Sequence, residues 1–246
     1  MISSCIDVVA LAPLILAGAS TALCATDASG EAATPAAPAA PAVASAPVEA
    51  TVPPAPATPG GPRTAGTWSF DVRLGGKPIG THRFVVDGPE DARRVASTAR
   101  FDVKLLGLTV YRYRHEATER WRGDCLAEIH SRTDDDGKAA QVDQRLEEGA
   151  PAPCLMSYAY WHPELTRQRR LLNPQTGALD EVRIERLPDA PIRVGGATVE
   201  ASRWRIAATS AGVPQDLTLW RDRADGRWIG LDARVKGDRI LTYRLP

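Results

Sequence analysis

All fourteen aromatic residues, from Trp68 to Tyr243, lie beyond residue 67 of a 246-residue chain, and that partition decides where a core can form. Aromatic side chains carry much of the apolar area that folding buries, so only the last 180 residues can build a packed interior. Residues 26–66 instead hold 14 Ala and 9 of the 20 Pro. The texture of TPAAPAAPAVASAPVEATVPPAPATPGGP cannot bury apolar surface, and the expectation is a disordered Ala/Pro-rich linker of partly polyproline-II character. Fully extended, it would reach roughly 130 Å.

Before the linker, Val8 to Ala25 read VVALAPLILAGASTALCA, an uncharged apolar run ending in small residues. This is the pattern of a secretory signal, so residues 1–25 are expected to act as a signal peptide and the mature protein to reach the periplasm. An uncleaved N-terminal anchor is the alternative, since 18 residues can just span a bilayer, and lipidation at Cys24 is another. Membrane contact is expected only if the N-terminus is uncleaved or lipidated. The n-region MISSCID departs from the usual signal in lacking Lys and Arg.

The chain's 30 basic and 30 acidic side chains cancel, and residues 67–246 alone hold 29 basic and 26 acidic groups, a surplus of +3. A nucleic-acid partner would call for a larger, clustered surplus, so none is expected. Arg outnumbers Lys 26 to 4, which fits a GC-rich coding sequence and strips arginine clusters of diagnostic weight.

Residues 67–246 read as a single β-rich domain. Trp68, Phe70, Val72 and Leu74 alternate with Ser69, Asp71 and Arg73, and Gly75-Gly76-Lys77-Pro78 then turns the chain into IGTHRFVV, a hairpin signature. Further strands are predicted around Phe101, Val103 and Leu105, from Leu108 to Arg122, and in VRIERL, TVEASRWRIAAT, DLTLWRD, RWIGLDARV and RILTYRL, with a hairpin turn at Asp134-Asp135-Asp136-Gly137. A short helical segment is expected near 155–172, with Pro163 at its start. The fold class is therefore mainly β: an antiparallel sandwich, β-roll or open barrel.

Once a signal is removed after Cys24, two cysteines remain. In an oxidising compartment Cys125 and Cys154 have one connectivity, and closing their loop would stabilise by about 3.6 kcal/mol in the chain-entropy account. Two separate buried thiols are the alternative; a metal pair lacks neighbouring ligands.

Catalytic signatures are missing: no Walker loop, HExxH, CxxC, GxSxG or dinucleotide fingerprint occurs, and neither cofactor nor metal is expected. His82, His115, His130 and His162 stand on separate segments. The aspartates at 134–136 lack the spacing of a calcium loop. On the strand 111–122 one face carries Arg112, Arg114, Glu116, Thr118, Arg120 and Arg122, the other Tyr111, Tyr113, His115, Ala117, Glu119 and Trp121. His115 and Glu119 are anomalous on an apolar face, because an unpartnered buried polar group is costly. Tyr158, Tyr160, Trp161 and His162 form a second dense patch. The candidate ligand-pocket residues are therefore Tyr111, Tyr113, His115, Glu119, Trp121, Tyr158, Tyr160, Trp161 and His162.

The segments WSFDVRLGGKPIGTHRF, ERWRGDCLAEIHSRTDDDGK, CLMSYAYWHPELTRQRRLLNPQTG, DLTLWRD and RWIGLDARVKGDRILTYRL resemble the DUF6134 family of exported bacterial proteins of unknown function, across about residues 67–246. The opening hairpin is also similar to DUF3108, an exported family rich in antiparallel β-structure. The resemblance implies a proteobacterial periplasmic protein in which Cys125 and Cys154 match the family's two cysteines, and it assigns no reaction. The expected role is non-catalytic binding or envelope maintenance, with a lipid or other apolar ligand held by a curved sheet. One alternative is a hydrolase-like enzyme using His115 with Glu119 or His162; another is a membrane-tethered structural or interaction module.

Overall fold

The computed structural model describes residues 65–146, 154–210, 213–235 and 237–246. The expected signal peptide, and the linker up to residue 64, lie outside the described residues. The remainder is mainly β: β1 (Gly66–Leu74), β2 (Lys77–Asp87), β3 (Arg94–Leu105), β4 (Leu108–Arg122), β5 (Cys125–Asp135), β6 (Lys138–Arg145), β7 (Met156–Ser157), β8 (Arg170–Leu172), β9 (Leu179–Val194), β10 (Ala197–Ser210), β11 (Val213–Asp222), β12 (Trp228–Val235) and β13 (Arg239–Arg244).

These form one 13-stranded sheet in the order β6-β5-β4-β3-β2-β1-β13-β12-β11-β10-β9-β8-β7. Two meanders thus run away from a central β1–β13 pair, which joins Val72 to Tyr243 in antiparallel register. Every pairing is antiparallel except the parallel contact of β7 with β8. A twisted sheet of more than about ten strands curls rather than staying flat. Here the two ends meet: Leu126 N–H donates to the Leu155 carbonyl at 2.9 Å, the Gln144 side-chain amide donates to the Gly177 carbonyl at 3.1 Å, and the Cys125–Cys154 disulfide joins Cα atoms 5.2 Å apart. The result is an open, barrel-like sheet rather than a sandwich. Its inner face forms one core in which Ile129 and Val142 from one end share a cluster with Met156 and Leu171 from the other and with Phe70, Trp228 and Tyr243 from the centre.

The alternation read from the sequence fixes the inner face. Tyr111, Tyr113, His115, Ala117, Glu119 and Trp121 are all buried, while Arg112, Glu116, Thr118, Arg120 and Arg122 are exposed. The expected short helical segment is a single 3-10 turn at Pro163–Arg167, with His162 as its cap and Pro163 in its first position. The rest of the segment is β7, β8 and tight turns. β9 runs well past VRIERL, through Pro188 and Pro191. Its pairing with β8 covers Leu179–Glu181 and the Val182 N–H still donates to the Arg169 carbonyl, but among the described residues no strand pairs with the far side of the stretch holding Pro188 and Pro191, where a missing N–H costs little.

Gly80 marks a close approach. At φ +149 an added Cβ would stand 1.9 Å from the Arg100 carbonyl oxygen, next to Ile79, the extra residue of β2 where its register with β1 shifts between Val72 and Arg73. Because the obstacle is backbone in the neighbouring strand, Gly80→Ala is expected to cost more than about 3 kcal/mol or to prevent folding, read as the urea midpoint or the soluble yield. Replacing both Cys125 and Cys154 by Ala should lower the unfolding free energy by about 3 to 4 kcal/mol, a loss that wild-type protein kept under reductant should match.

Candidate functional site

Two successive cross-strand rows on the inner face are built of small side chains where the core would otherwise want large ones. One row runs His82, Ala99, His115, Thr133 across β2 to β5, and the next runs Phe84, Ser97, Ala117, Ser131. Ser97 and Ala117 leave space above the sheet. The segment folded inside the curl roofs that space with Ser157–Trp161 and Asn173–Gln175, and Gln215, Leu217 and Tyr243 close it from the far strands. The cavity has a volume of about 70 Å³, several times the ~10–15 Å³ that one water needs.

Rings shape the walls. His82 stacks on Phe84 at 4.1 Å between centroids and lies 5.8 Å from Tyr243, and Phe101 stacks on Tyr113 at 5.3 Å. His115 Nδ1 is 2.8 Å from the Thr133 hydroxyl. Glu119 accepts a hydrogen bond from the Trp121 indole at 2.8 Å, and Ser157 gives it a second.

Around this cavity several polar atoms are buried with no hydrogen-bond partner among the described residues: both ring nitrogens of His82, the Tyr243 hydroxyl, Gln175 Oε1 and Gln215 Nε2. Each such group costs about 1–3 kcal/mol, and buried polar groups are normally satisfied by protein, water or ligand. The set offers both donors and acceptors to whatever occupies the space.

Burial also sets the charge of the site. Desolvation holds His82 well below the usual imidazole range, with a further push from His115; His115 itself is lowered to about 4 by burial. Both imidazoles are therefore neutral at pH 7. Burial raises Glu119 against the opposing hydrogen bonds of Ser157 and Trp121, and it raises Tyr113, Tyr160 and Tyr243.

Of the residues singled out in the sequence, Tyr113, His115, Glu119, Tyr158, Tyr160 and Trp161 line this one cavity, so β4 and the aromatic patch converge. Tyr111, Trp121 and His162 do not line it. Tyr111 donates to Asp135 beyond the end of the cavity. Trp121 is wedged 5.3 Å from Trp161 and stacks on His162 at 5.8 Å. His162 places Nε2 3.1 Å from Asp124 and accepts from the Glu164 N–H at 3.2 Å, a role in fixing the 3-10 turn. Burial lowers its pKa despite the opposing pull of Asp124. His130 lies on the outer face between Glu128 and Asp143. No group of three or more His, Cys, Asp or Glu among the described residues is arranged to hold a metal ion.

His82, Gln175, Gln215 and Tyr243 were not among the sequence candidates. His82 shares the parity of Phe84 on β2, which is a readable signal; the two glutamines carry none, because only the curl of the sheet brings them here.

A family model described as Domain of unknown function (DUF6134) matches residues 70–245. No curated protein matches the sequence. Among solved structures, the fold is similar to the crystal structure of a β-barrel-like protein of domain of unknown function DUF1849 from Brucella abortus, at 12% sequence identity and a TM-score of 0.54, with 73% of this chain and 94% of that chain covered. At that identity the likeness concerns the fold alone.

The buried histidines make stability pH-dependent. An unfolded imidazole titrates near 6.5 and folded His115 near 4, so between those values protons bind the unfolded chain preferentially and stability falls as pH falls. The His115 contribution is fully present above pH 6.5, and roughly 3 kcal/mol of it is lost by pH 4. Glu119, raised by burial, works in the opposite direction. Comparing wild type with His115→Gln isolates the histidine: in urea melts at pH 7.5, 5.5 and 4, the variant should lose less stability on acidification.

Proposed function

This chain belongs to the DUF6134 family, and on that premise we propose that it is a non-catalytic binding protein of the periplasm, serving the cell envelope by holding a small molecule with an apolar body and hydrogen-bonding groups inside its curled sheet. The observation that carries the reading is the cavity whose His82, Tyr243, Gln175 and Gln215 leave buried polar atoms unpaired. A space closed only for packing would be lined with apolar atoms, and an engineered apolar cavity stays dry. The uncharged run Val8–Ala25 and the Cys125–Cys154 disulfide support an oxidising, extracytoplasmic compartment.

Size constrains the ligand. Pockets for drug-sized molecules run to ~300–1,000 Å³, against the 70 Å³ enclosed here. A ligand of a few heavy atoms fits without rearrangement. A lipid or acyl chain requires the inner segment to withdraw, and that segment is tethered by Cys154, by Arg221 bonded to the Tyr160 and His162 carbonyls and by Asn173 bonded to Asp180 and Ser210. The hydrolase-like alternative is less supported: Thr133 engages His115, Trp121 and Ser157 engage Glu119, and His162 lies outside the cavity.

Protein purified from periplasm and denatured should release a small organic molecule detectable by mass spectrometry, and an Ala117→Leu variant, whose added carbons occupy the cavity, should release none. Wild-type protein that carries nothing but water, and whose melting temperature no small polar-apolar compound shifts, would remove the reading.

A further inference from the structure

A second feature, independent of the cavity, lies at the tip of the β3–β4 hairpin. Pairing of β3 with β2 ends at Phe101, and pairing of β4 with β5 starts at Tyr113. Val103 and Tyr111 still pack against the core, and the Asp136 N–H donates to the Arg112 carbonyl at 2.8 Å; beyond them residues 104–110 form the hairpin tip, in which Lys104 pairs with Thr109 and Leu105 with Leu108. Among the described residues the exposed large hydrophobics are Leu105, Leu106, Leu108, Val110 and Leu179, so four of the five fall within six consecutive positions; Leu106 is 96% exposed.

The backbone adds a second oddity. Leu106 and Gly107 have φ of 51 and 84, the left-handed pair of a two-residue hairpin turn, which favours Asn, Asp or Gly at its first position. The neighbouring turns at the same end of the sheet comply, with Gly75-Gly76 and Asp136-Gly137. A leucine there is strained as well as exposed, so neither folding nor solubility explains it. β1, β3 and β5 run in the same direction, which places Lys77, Lys104 and Lys138, three of the chain's four lysines, at this same end; Lys236 falls outside the described residues. The nearby carboxylates have partners within the protein: Asp102 pairs with Arg112 and Arg114 at 3.5 and 2.9 Å, Asp135 accepts from Tyr111, and Asp134 and Asp136, though exposed, accept from the Gly137 and Arg112 N–H groups.

We infer that the β3–β4 tip is a membrane-docking element, in which Leu105, Leu106, Leu108 and Val110 enter the interface of a phospholipid bilayer while Lys77 and Lys104 face anionic headgroups. A stable protein partner would require about 800 Å² from each side, which a narrow convex ribbon cannot present. A bilayer asks only that a few apolar side chains cross its interface beside cations. The uncharged run Val8–Ala25 of the same chain is suited to the same surface.

The test uses the full chain with vesicles of phosphatidylethanolamine and phosphatidylglycerol, some carrying brominated acyl chains. Tryptophan introduced by Leu106→Trp reports on the tip when the signal of the wild type, with its six native tryptophans, is measured with the same vesicles and subtracted. Its fluorescence should shift to the blue and be quenched by the brominated vesicles; emission unchanged while protein sediments with vesicles would overturn the inference. Adding Leu105→Ser and Leu108→Ser to that reporter should raise the lipid concentration needed for half-maximal quenching about tenfold or more. Leu106→Asn should raise the melting temperature, by relieving the turn, while weakening vesicle binding. If that variant binds vesicles as wild type does, or if the wild type self-associates through the tip in lipid-free sedimentation, the bilayer is not the occupant.

Discussion

A thirteen-stranded sheet presents far more inner face than its own side chains can fill, and the rest of the molecule answers that constraint. Twist forces the curl, and the curl leaves an interior that must exclude water. The chain fills it with residues 155–175, which run from β7 toward the start of β9. This segment carries few backbone pairings of its own, so discrete ties hold it: the disulfide at Cys154, the Asn173–Asp180–Ser210 cluster and Arg221. That arginine is only 5% exposed; burial lowers its pKa to about 10, still high enough to keep the cation that the Tyr160 and His162 carbonyls accept.

The cavity follows from the same geometry. Where β3 and β4 supply Ser97 and Ala117 a space remains beneath the filling segment, which reaches the sheet next to it, the Pro174 carbonyl accepting from the Ser131 hydroxyl. Desolvation then keeps His82 and His115 neutral, which suits a site reading ligands by hydrogen bonds rather than by charge. The hairpin tip obeys the opposite logic. It lies beyond the reach of the core, so no packing demand accounts for its leucines, and its left-handed leucine contradicts the turn chemistry followed by its neighbours.

Much of this was legible beforehand because strands have a period of two. The limits of β4, Leu108 to Arg122, and its division into a buried aromatic face and an arginine face came directly from alternation. The turn at Asp136-Gly137 came from residue chemistry. The short helical segment within 155–172, a single 3-10 turn, was legible from Pro163 at its start, whereas the aromatic density around it reflects interior filling. The full length of β9 was hidden because Pro188 and Pro191 end a strand only where both edges are paired.

By itself the sequence determined the partition into an aromatic-free N-terminal third and a β-rich remainder, the strand faces and the eligible cysteine pair, because these depend on local periodicity and composition. Only the tertiary structure decided that the sheet closes into a barrel-like curl instead of a sandwich, that β4 and the 158–161 aromatics share one cavity with His82 and Tyr243, and that His162 does not join them. Those outcomes depend on how far the twist accumulates over thirteen strands, a sum of small rotations that no short window of sequence contains.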